Sequence, residues 1–104
     1  MANSWAGEVA LVVDGERRVA KLTLGALAEL EGAMEGETLI ALVERFEAGQ
    51  HRASDVLALI VAGLRGGGWR GSAEDLLSSE IEGGPLEASR VAAALLVAAF
   101  APEA

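Results

Sequence analysis

The feature that most constrains the fold is a change of apolar spacing between Val19 and Glu31. Apolar and polar residues alternate up to Leu22, which is the spacing of a half-buried strand. From Leu24 onward the apolar residues recur every three or four positions, which is the spacing of an amphipathic helix. Thr23 stands at the junction and is a suitable N-cap for that helix. The sequence therefore predicts a strand that passes directly into a helix.

A second alternating segment precedes this strand and predicts a β-hairpin. Its two strands are expected over about residues 8–13 and 18–23. A two-residue turn at Asp14-Gly15 would place Leu11 opposite Arg18, a poor cross-strand match. A four-residue loop that starts at Asp14 instead places Leu11 opposite Ala20, so we expect the longer loop. Because an isolated hairpin is barely stable in water, its apolar face must pack on helices or on another strand.

The rest of the chain predicts five helices separated by glycine-rich breaks. Ser54 is a suitable N-cap, and Ser72 with Asp75 has the spacing of a capping box. Pro85 suits the first turn of the last helix, and Pro102 closes that helix. The helices are expected over about residues 24–35, 38–48, 54–65, 72–80 and 85–100. The predicted fold class is α+β, mostly α, with residues 1–104 forming a single domain.

The composition argues against several classes of function. A net charge of −8 disfavours nucleic-acid binding, which depends on Lys and Arg to neutralise phosphates. The absence of cysteine excludes disulfides and thiolate metal sites. The chain lacks a signal-peptide pattern, and its longest apolar run, Val91–Ala101, has about half the length that a bilayer requires. We therefore expect a cytoplasmic protein that contacts neither nucleic acid nor membrane.

Two segments invite a catalytic or ligand-binding interpretation. The glycine-rich run from Arg65 to Ser72 has the glycine spacing of a phosphate loop. However, Ser72 stands where that motif requires Lys, and the run follows a helix instead of a strand, which favours a flexible connector. His51 precedes Ser54 and Asp55, but zinc needs three or four ligands and a triad needs an oriented carboxylate. A polar link before a helix is the favoured interpretation.

The densest acidic segment contains Glu29, Glu31, Glu35 and Glu37. It lacks the alternating oxygen ligands of a calcium loop and the aromatic platform of a sugar site, so a solvated helix face is favoured. Such a face can still attract a basic partner. The sequence thus predicts no enzyme, no cofactor and no metal site.

The third and fifth helices carry more apolar residues than one helix face needs. A central core position explains this pattern, and so does a surface for self-association or for a protein partner. Both interpretations stay open. The candidate partner-binding residues are Leu59, Leu64, Val91, Leu95, Leu96 and Phe100.

Three segments of the chain resemble a small protein family of phage-like gene transfer agents, the tailed particles of alphaproteobacteria. The likeness runs through Leu22–Glu31, Asp55–Gly67 and Val91–Phe100, and together with the hairpin it covers nearly the whole chain. Related prophages carry similar proteins. Members are described as tail tube proteins or as tail assembly chaperones, and their motifs are structural, so no catalytic residue is implied.

Of these two roles, the resemblance favours the tail assembly chaperone. Such chaperones bind the long, aggregation-prone tape-measure protein and give way as tail tube subunits polymerise around it. The implied partners are therefore the tape-measure protein and the tail tube protein. Self-association of this chain into a homo-oligomer is a separate expectation. A structural tail component is the alternative, although a tube subunit would normally need a larger β-sandwich. A small acidic adaptor unrelated to tails is the third hypothesis.

Overall fold

The computed structural model describes residues 6–100 of the chain. A two-stranded antiparallel hairpin is followed by five helices, which confirms the predicted fold class. Pro102, predicted to close the last helix, lies outside the described residues. The elements are β1 (Glu8–Val13), β2 (Glu16–Lys21), α1 (Leu24–Ala33), α2 (Leu39–Glu47), α3 (Ala53–Gly66), α4 (Ala73–Leu77) and α5 (Gly84–Phe100).

The hairpin closes through a two-residue turn, so the predicted four-residue loop is wrong. Asp14 and Gly15 have φ values of 51° and 80°. Positive φ at both central residues is typical of a type I′ turn, whose twist matches that of the paired strands. Leu11 therefore lies opposite Arg18. The pairing of Leu11 with Arg18 costs little, because Leu11 does not depend on Arg18 for burial. It is buried in the core, against which α5 also packs.

The outer edge of β2 is covered by the end of α3. A Cβ atom on Gly66 would lie 2.0 Å from the carbonyl oxygen of Lys21. One on Gly67 would lie 2.0 Å from the carbonyl oxygen of Val19. The Cα–H bonds of both glycines therefore point at strand carbonyls, in the manner of weak C–H···O contacts. The first glycines of the glycine-rich run thus serve a close backbone approach.

The C-terminal half of β1 is covered by the segment that follows α4. The amide of Asp14 donates to the carbonyl of Glu80 at 2.8 Å, and the amide of Glu82 donates to that of Val12 at 3.0 Å. Between them, Val13 forms an antiparallel bridge with Ile81. The chain leaves the helical conformation to make this pairing, so α4 ends before residue 80, where the prediction placed its end.

The helix starts agree only partly with the predicted caps. The Thr23 hydroxyl accepts from the amide of Ala26 at 3.1 Å, as predicted for α1. The capping box of α4 is also present, because the Ser72 amide donates to a carboxylate oxygen of Asp75 at 2.8 Å. Ser54 does not cap α3, and this prediction is wrong. The N-cap is Arg52, whose amide donates to Asp55 at 2.8 Å.

The core forms around α3, which packs against α1, α5 and β2. At Gly63 the helices α3 and α5 approach so closely that an added Cβ would lie 2.8 Å from Leu95 Cδ1. Burying these apolar side chains removes them from water and supplies the main driving force for folding. Every element contributes to the buried apolar cluster, whose largest fully buried members are Leu30, Leu42, Leu59, Ile60, Leu64, Leu95 and Val91.

Candidate functional site

An apolar groove of about 460 Å³ lies between α2 and α5. We call it the α2/α5 groove. Val97 is 63% exposed in it and Phe100 is 45% exposed, although both are large apolar side chains. Large apolar side chains that stay together at a surface usually mark an interaction site. The groove is lined by Val43, Phe46 and Glu47 of α2 and by Ala93, Leu96, Val97 and Phe100 of α5.

The groove exists because α5 is apolar on two sides. Val91 and Leu95 face the core and are fully buried. Ala93, Val97 and Phe100 follow at spacings of four and three residues on the opposite side of the helix. The helix has no charged residue after Arg90, so nothing polar covers this second side. One side of α5 therefore fills the core and the other lines the groove.

The structure separates the six predicted partner-binding residues into two groups. Leu59, Leu64, Val91 and Leu95 are fully buried and present no surface to a partner in the folded protein. Leu96 is mostly buried but contributes to the groove floor, and Phe100 lies at the groove surface. Only these two are brought together at a surface. The partner-binding role stays a prediction, which the structure concentrates at the α2/α5 groove.

Five of the seven groove-lining residues were not among the predicted partner-binding residues. They are Val43, Phe46 and Glu47 of α2 and Ala93 and Val97 of α5. The available signal was the i, i+4, i+7 spacing of Ala93, Val97 and Phe100, which marks a second apolar face on a helix that already has one. Sequence spacing alone does not show which of the two faces is covered.

An ion-pair network fixes α2 against the start of α3, behind the groove. Asp55 is only 6% exposed. Its carboxylate accepts from Arg45 Nε at 3.1 Å and from Arg45 Nη2 at 2.9 Å. The same guanidinium donates from Nη1 to Glu37 at 2.6 Å. Arg52 Nη2 donates to Glu37 at 3.3 Å, so two arginines and two carboxylates are joined in one cluster.

The protonation of this network follows from its geometry. Burial favours the neutral form of Asp55, but the hydrogen bonds from Arg45 and from the Arg52 amide, together with both positive charges, outweigh it. The pKa of Asp55 consequently lies below its ordinary value. The hydrogen bond to Asp55 likewise raises the pKa of Arg45. Asp55 is therefore held as a charged structural anchor instead of a proton-transfer group.

His51, Ser54 and Asp55 do not assemble as a catalytic triad. The His51 ring stacks on Phe46, with ring centroids 4.1 Å apart. Its Nδ1 is buried and has no hydrogen-bond partner among the described residues. The carboxylate of Asp55 is occupied by Arg45 and Arg52 instead. Within residues 6–100 no group of three or more His, Asp or Glu side chains is placed to hold a metal ion.

The acidic segment is largely a solvated surface, as predicted. Glu31 and Glu35 are exposed. Glu29 accepts from Arg65 Nε at 2.9 Å, and this contact lowers the pKa of Glu29. Arg65 also donates to the carbonyl of Gly71 at 3.1 Å, so it links α1, α3 and the glycine-rich run. No helix in the described part of the chain is long and apolar enough to cross a membrane.

Residues 6–102 match the family described as phage tail tube protein, GTA-gp10. The chain belongs to this family. The match covers nearly the whole chain and confirms the resemblance predicted from the three segments and the hairpin. No curated protein and no solved structure matches it.

Family membership makes this a protein related to phage-like tails. The family is structural, and its members take part in protein–protein assembly. Surfaces that bind other proteins are therefore the relevant sites. Among the described residues, the α2/α5 groove is a surface with the apolar character that such binding requires.

Proposed function

We propose that this protein is a tail assembly chaperone, which binds the tape-measure protein through the α2/α5 groove and keeps it from aggregating until the tube forms around it. It acts without enzymatic activity, as a single domain, in the cytoplasm of the producing cell. The observation that carries the proposal is the exposed apolar groove, in which Val97 and Phe100 lie together at the surface.

The hairpin edges, which other parts of the chain largely cover, support this role. The end of α3 blocks the outer edge of β2, and residues 80–82 block the C-terminal half of β1. Covered edges prevent uncontrolled pairing with other strands, which a protein that handles aggregation-prone clients needs to avoid. The apolar side of α5 stays available, so binding through helix faces is favoured over binding through strand edges.

A structural role in the tube is the second candidate, because the family description itself names the tail tube. A tube subunit would use the same apolar surface to contact its neighbours in a ring. The hairpin supplies only two strands within residues 6–100, which is a small sheet from which to build stacked rings.

Co-expression with the tape-measure and tube proteins of the same gene cluster tests the proposal. A tag on this chain is expected to recover tape-measure protein and to raise its soluble fraction. The Val97→Asp variant is expected to lose both effects while remaining folded. Recovery of tape-measure protein by Val97→Asp at the unaltered level would contradict the assignment of the groove.

Mass spectrometry of purified particles separates the two candidates. A chaperone is expected to be absent from finished particles or present only in traces. A copy number comparable with that of the major tail subunits would exclude the chaperone role and establish the structural one. Recovery of neither partner in the co-expression experiment, with no copies in particles, would leave the adaptor hypothesis.

A further inference from the structure

The α2/α5 groove has an unequal charge along its length. Its lining residues come from the last two turns of α2 and the last two turns of α5. Helix C-termini carry partial negative charge. Glu47, the last residue of α2, lines the groove and is its one charged lining residue within residues 6–100. Glu44 lies one turn earlier on α2 and is exposed.

Nearby cations do not cancel this charge. Arg45 lies on the opposite side of α2, where Asp55 and Glu37 bind its guanidinium. Arg90 lies toward the other end of α5 and is paired with Glu87 at 2.7 Å. The groove therefore combines an apolar floor with a negative end at Glu47, the C-terminus of α2.

The backbone of the walls determines what conformation an occupant needs. Both walls are helices, whose amides and carbonyls are bonded within each helix. They offer no ladder of free N–H and C=O groups to an extended peptide, which would leave its own backbone unpaired in an apolar site. A helix satisfies its own backbone and can insert apolar side chains between α2 and α5.

The length of the exposed face of α5 also indicates how long a partner helix the groove can hold. Leu86 is 83% exposed and lies seven residues before Ala93, on the same side of α5 as Val97 and Phe100. From Leu86 to Phe100 the axis of α5 extends about 21 Å, which corresponds to roughly four helical turns. Ser89 and Arg90 separate Leu86 from Ala93 on this face, but its length still exceeds what a single inserted side chain would use.

We propose that the groove binds an amphipathic helix of a protein partner, with its apolar side on α5 and a cluster of Lys or Arg at the end over Glu47. This inference rests on the proposed function and specifies the chemistry of the client segment. A second copy of this chain is a poor occupant, because it brings 16 acidic residues against eight Lys and Arg. Opposite charge at the negative end supplies orientation and partner choice.

Two labelled model peptides test the charge rule by fluorescence anisotropy at low salt. Both are amphipathic Leu/Ala helices of about four turns, identical except that one ends in a few Lys residues and the other in Glu residues. The Lys peptide is expected to bind about tenfold more tightly, with the preference decreasing as salt rises. Equal affinity for the two peptides, or no binding of either, would overturn the proposal.

Two matched variants distinguish a local effect from the charge of the whole protein. Glu47→Lys is expected to abolish the preference for the Lys peptide. Glu31→Lys changes the net charge equally, but on an exposed site of α1 outside the groove, and is expected to preserve the preference. A similar loss in both variants would overturn the proposal, because net charge would then explain the binding.

The outcomes also separate this inference from the proposed function. If tape-measure protein is recovered in a Val97-dependent manner but the peptides show no charge preference, the chaperone role stands and the charge rule fails. If the peptides behave as expected but tape-measure protein is not recovered, the charge rule stands and the client assignment fails. Self-association that Val97→Asp abolishes, seen by sedimentation velocity without peptide binding, would assign the groove to a second copy.

Discussion

Arg45 of α2 and Asp55 of α3 form a two-point ion pair, in which Nε and Nη2 donate to the two carboxylate oxygens at 3.1 and 2.9 Å. The carboxylate also accepts from the Arg52 amide at the start of α3. One side chain thus caps a helix and attaches it to its neighbour. Because α2 forms one wall of the α2/α5 groove, this pair helps to hold the groove in shape.

Replacing Asp55 with Asn is expected to lower the free energy of unfolding by about 2 kcal/mol at neutral pH. The neutral amide cannot serve both Arg45 and the Arg52 amide as a charged acceptor, so part of the guanidinium is left with weaker bonds. Urea denaturation followed by circular dichroism measures the change. Glu44→Gln, which alters an exposed carboxylate on α2, is the control and should have little effect.

The stabilisation from Asp55 is expected to disappear in acid. Its pKa in the folded protein lies below the ordinary value of 3.8. The carboxylate therefore stabilises the fold fully above that ordinary value, and the contribution is lost as the pH falls through the lower folded-state pKa. The difference in unfolding free energy between the unaltered protein and Asp55→Asn should shrink between about pH 5 and pH 2. A difference that stays constant over this range would disprove the linkage.

Gly66→Ala and Gly32→Ala are expected to change stability in opposite directions. A Cβ on Gly66 would lie 2.0 Å from the Lys21 carbonyl oxygen, so the contact between α3 and β2 must open, at a cost of about 2 kcal/mol or more. Gly32 has no atom within 4 Å of its added Cβ and lies inside α1. There Ala should stabilise by about 0.5–1 kcal/mol. Thermal denaturation of both variants provides the test.

Leu95→Asp and Val97→Asp are expected to separate folding from binding. Leu95 is fully buried, so a carboxylate there should cost more than about 4 kcal/mol and unfold the protein. Val97 is 63% exposed, so the same substitution should leave the circular dichroism spectrum unchanged. Two folded variants with equal stability would show that α5 does not pack as described.

Gly15→Ala is expected to destabilise the hairpin by about 1 kcal/mol, because its φ of 80° is unfavourable for a residue with a Cβ. Gly25→Ala is the control: Gly25 lies in α1 without a positive φ and its added Cβ would meet only Thr23 Oγ1, at 3.9 Å, so Ala is expected to be neutral or slightly stabilising there. Chemical denaturation compares the two. Unchanged stability of Gly15→Ala would contradict the two-residue turn.

Local sequence patterns predicted most of the secondary structure. The caps at Thr23 and Ser72 were predictable because each interaction spans only three residues. The cap of α3 was not predictable in this way, since Ser54 fits the local N-cap pattern as well as Arg52 does. Its position depends on where Arg45 of a different helix places its guanidinium against Asp55.

The register of the hairpin shows a similar limit. Pairing rules favoured Ala20 over Arg18 as the neighbour of Leu11, because they consider only the two strands. In the folded protein, Leu11 belongs to the core formed with the helices, and the I′ turn at Asp14-Gly15 determines the register. The unfavourable pairing of Leu11 with Arg18 therefore did not prevent this turn, because the helices bury Leu11.

By itself, the sequence determined the hairpin followed by five helices, the family and the excess of apolar residues on α5, because spacing, turn residues and composition are local properties. The tertiary structure decided that Leu59, Leu64, Val91 and Leu95 fill the core while Val97 and Phe100 line a groove with α2. It also decided that glycines after Arg65 cover a strand edge. Which of two apolar faces is buried depends on the backbones that approach it, and no spacing within one helix encodes that approach.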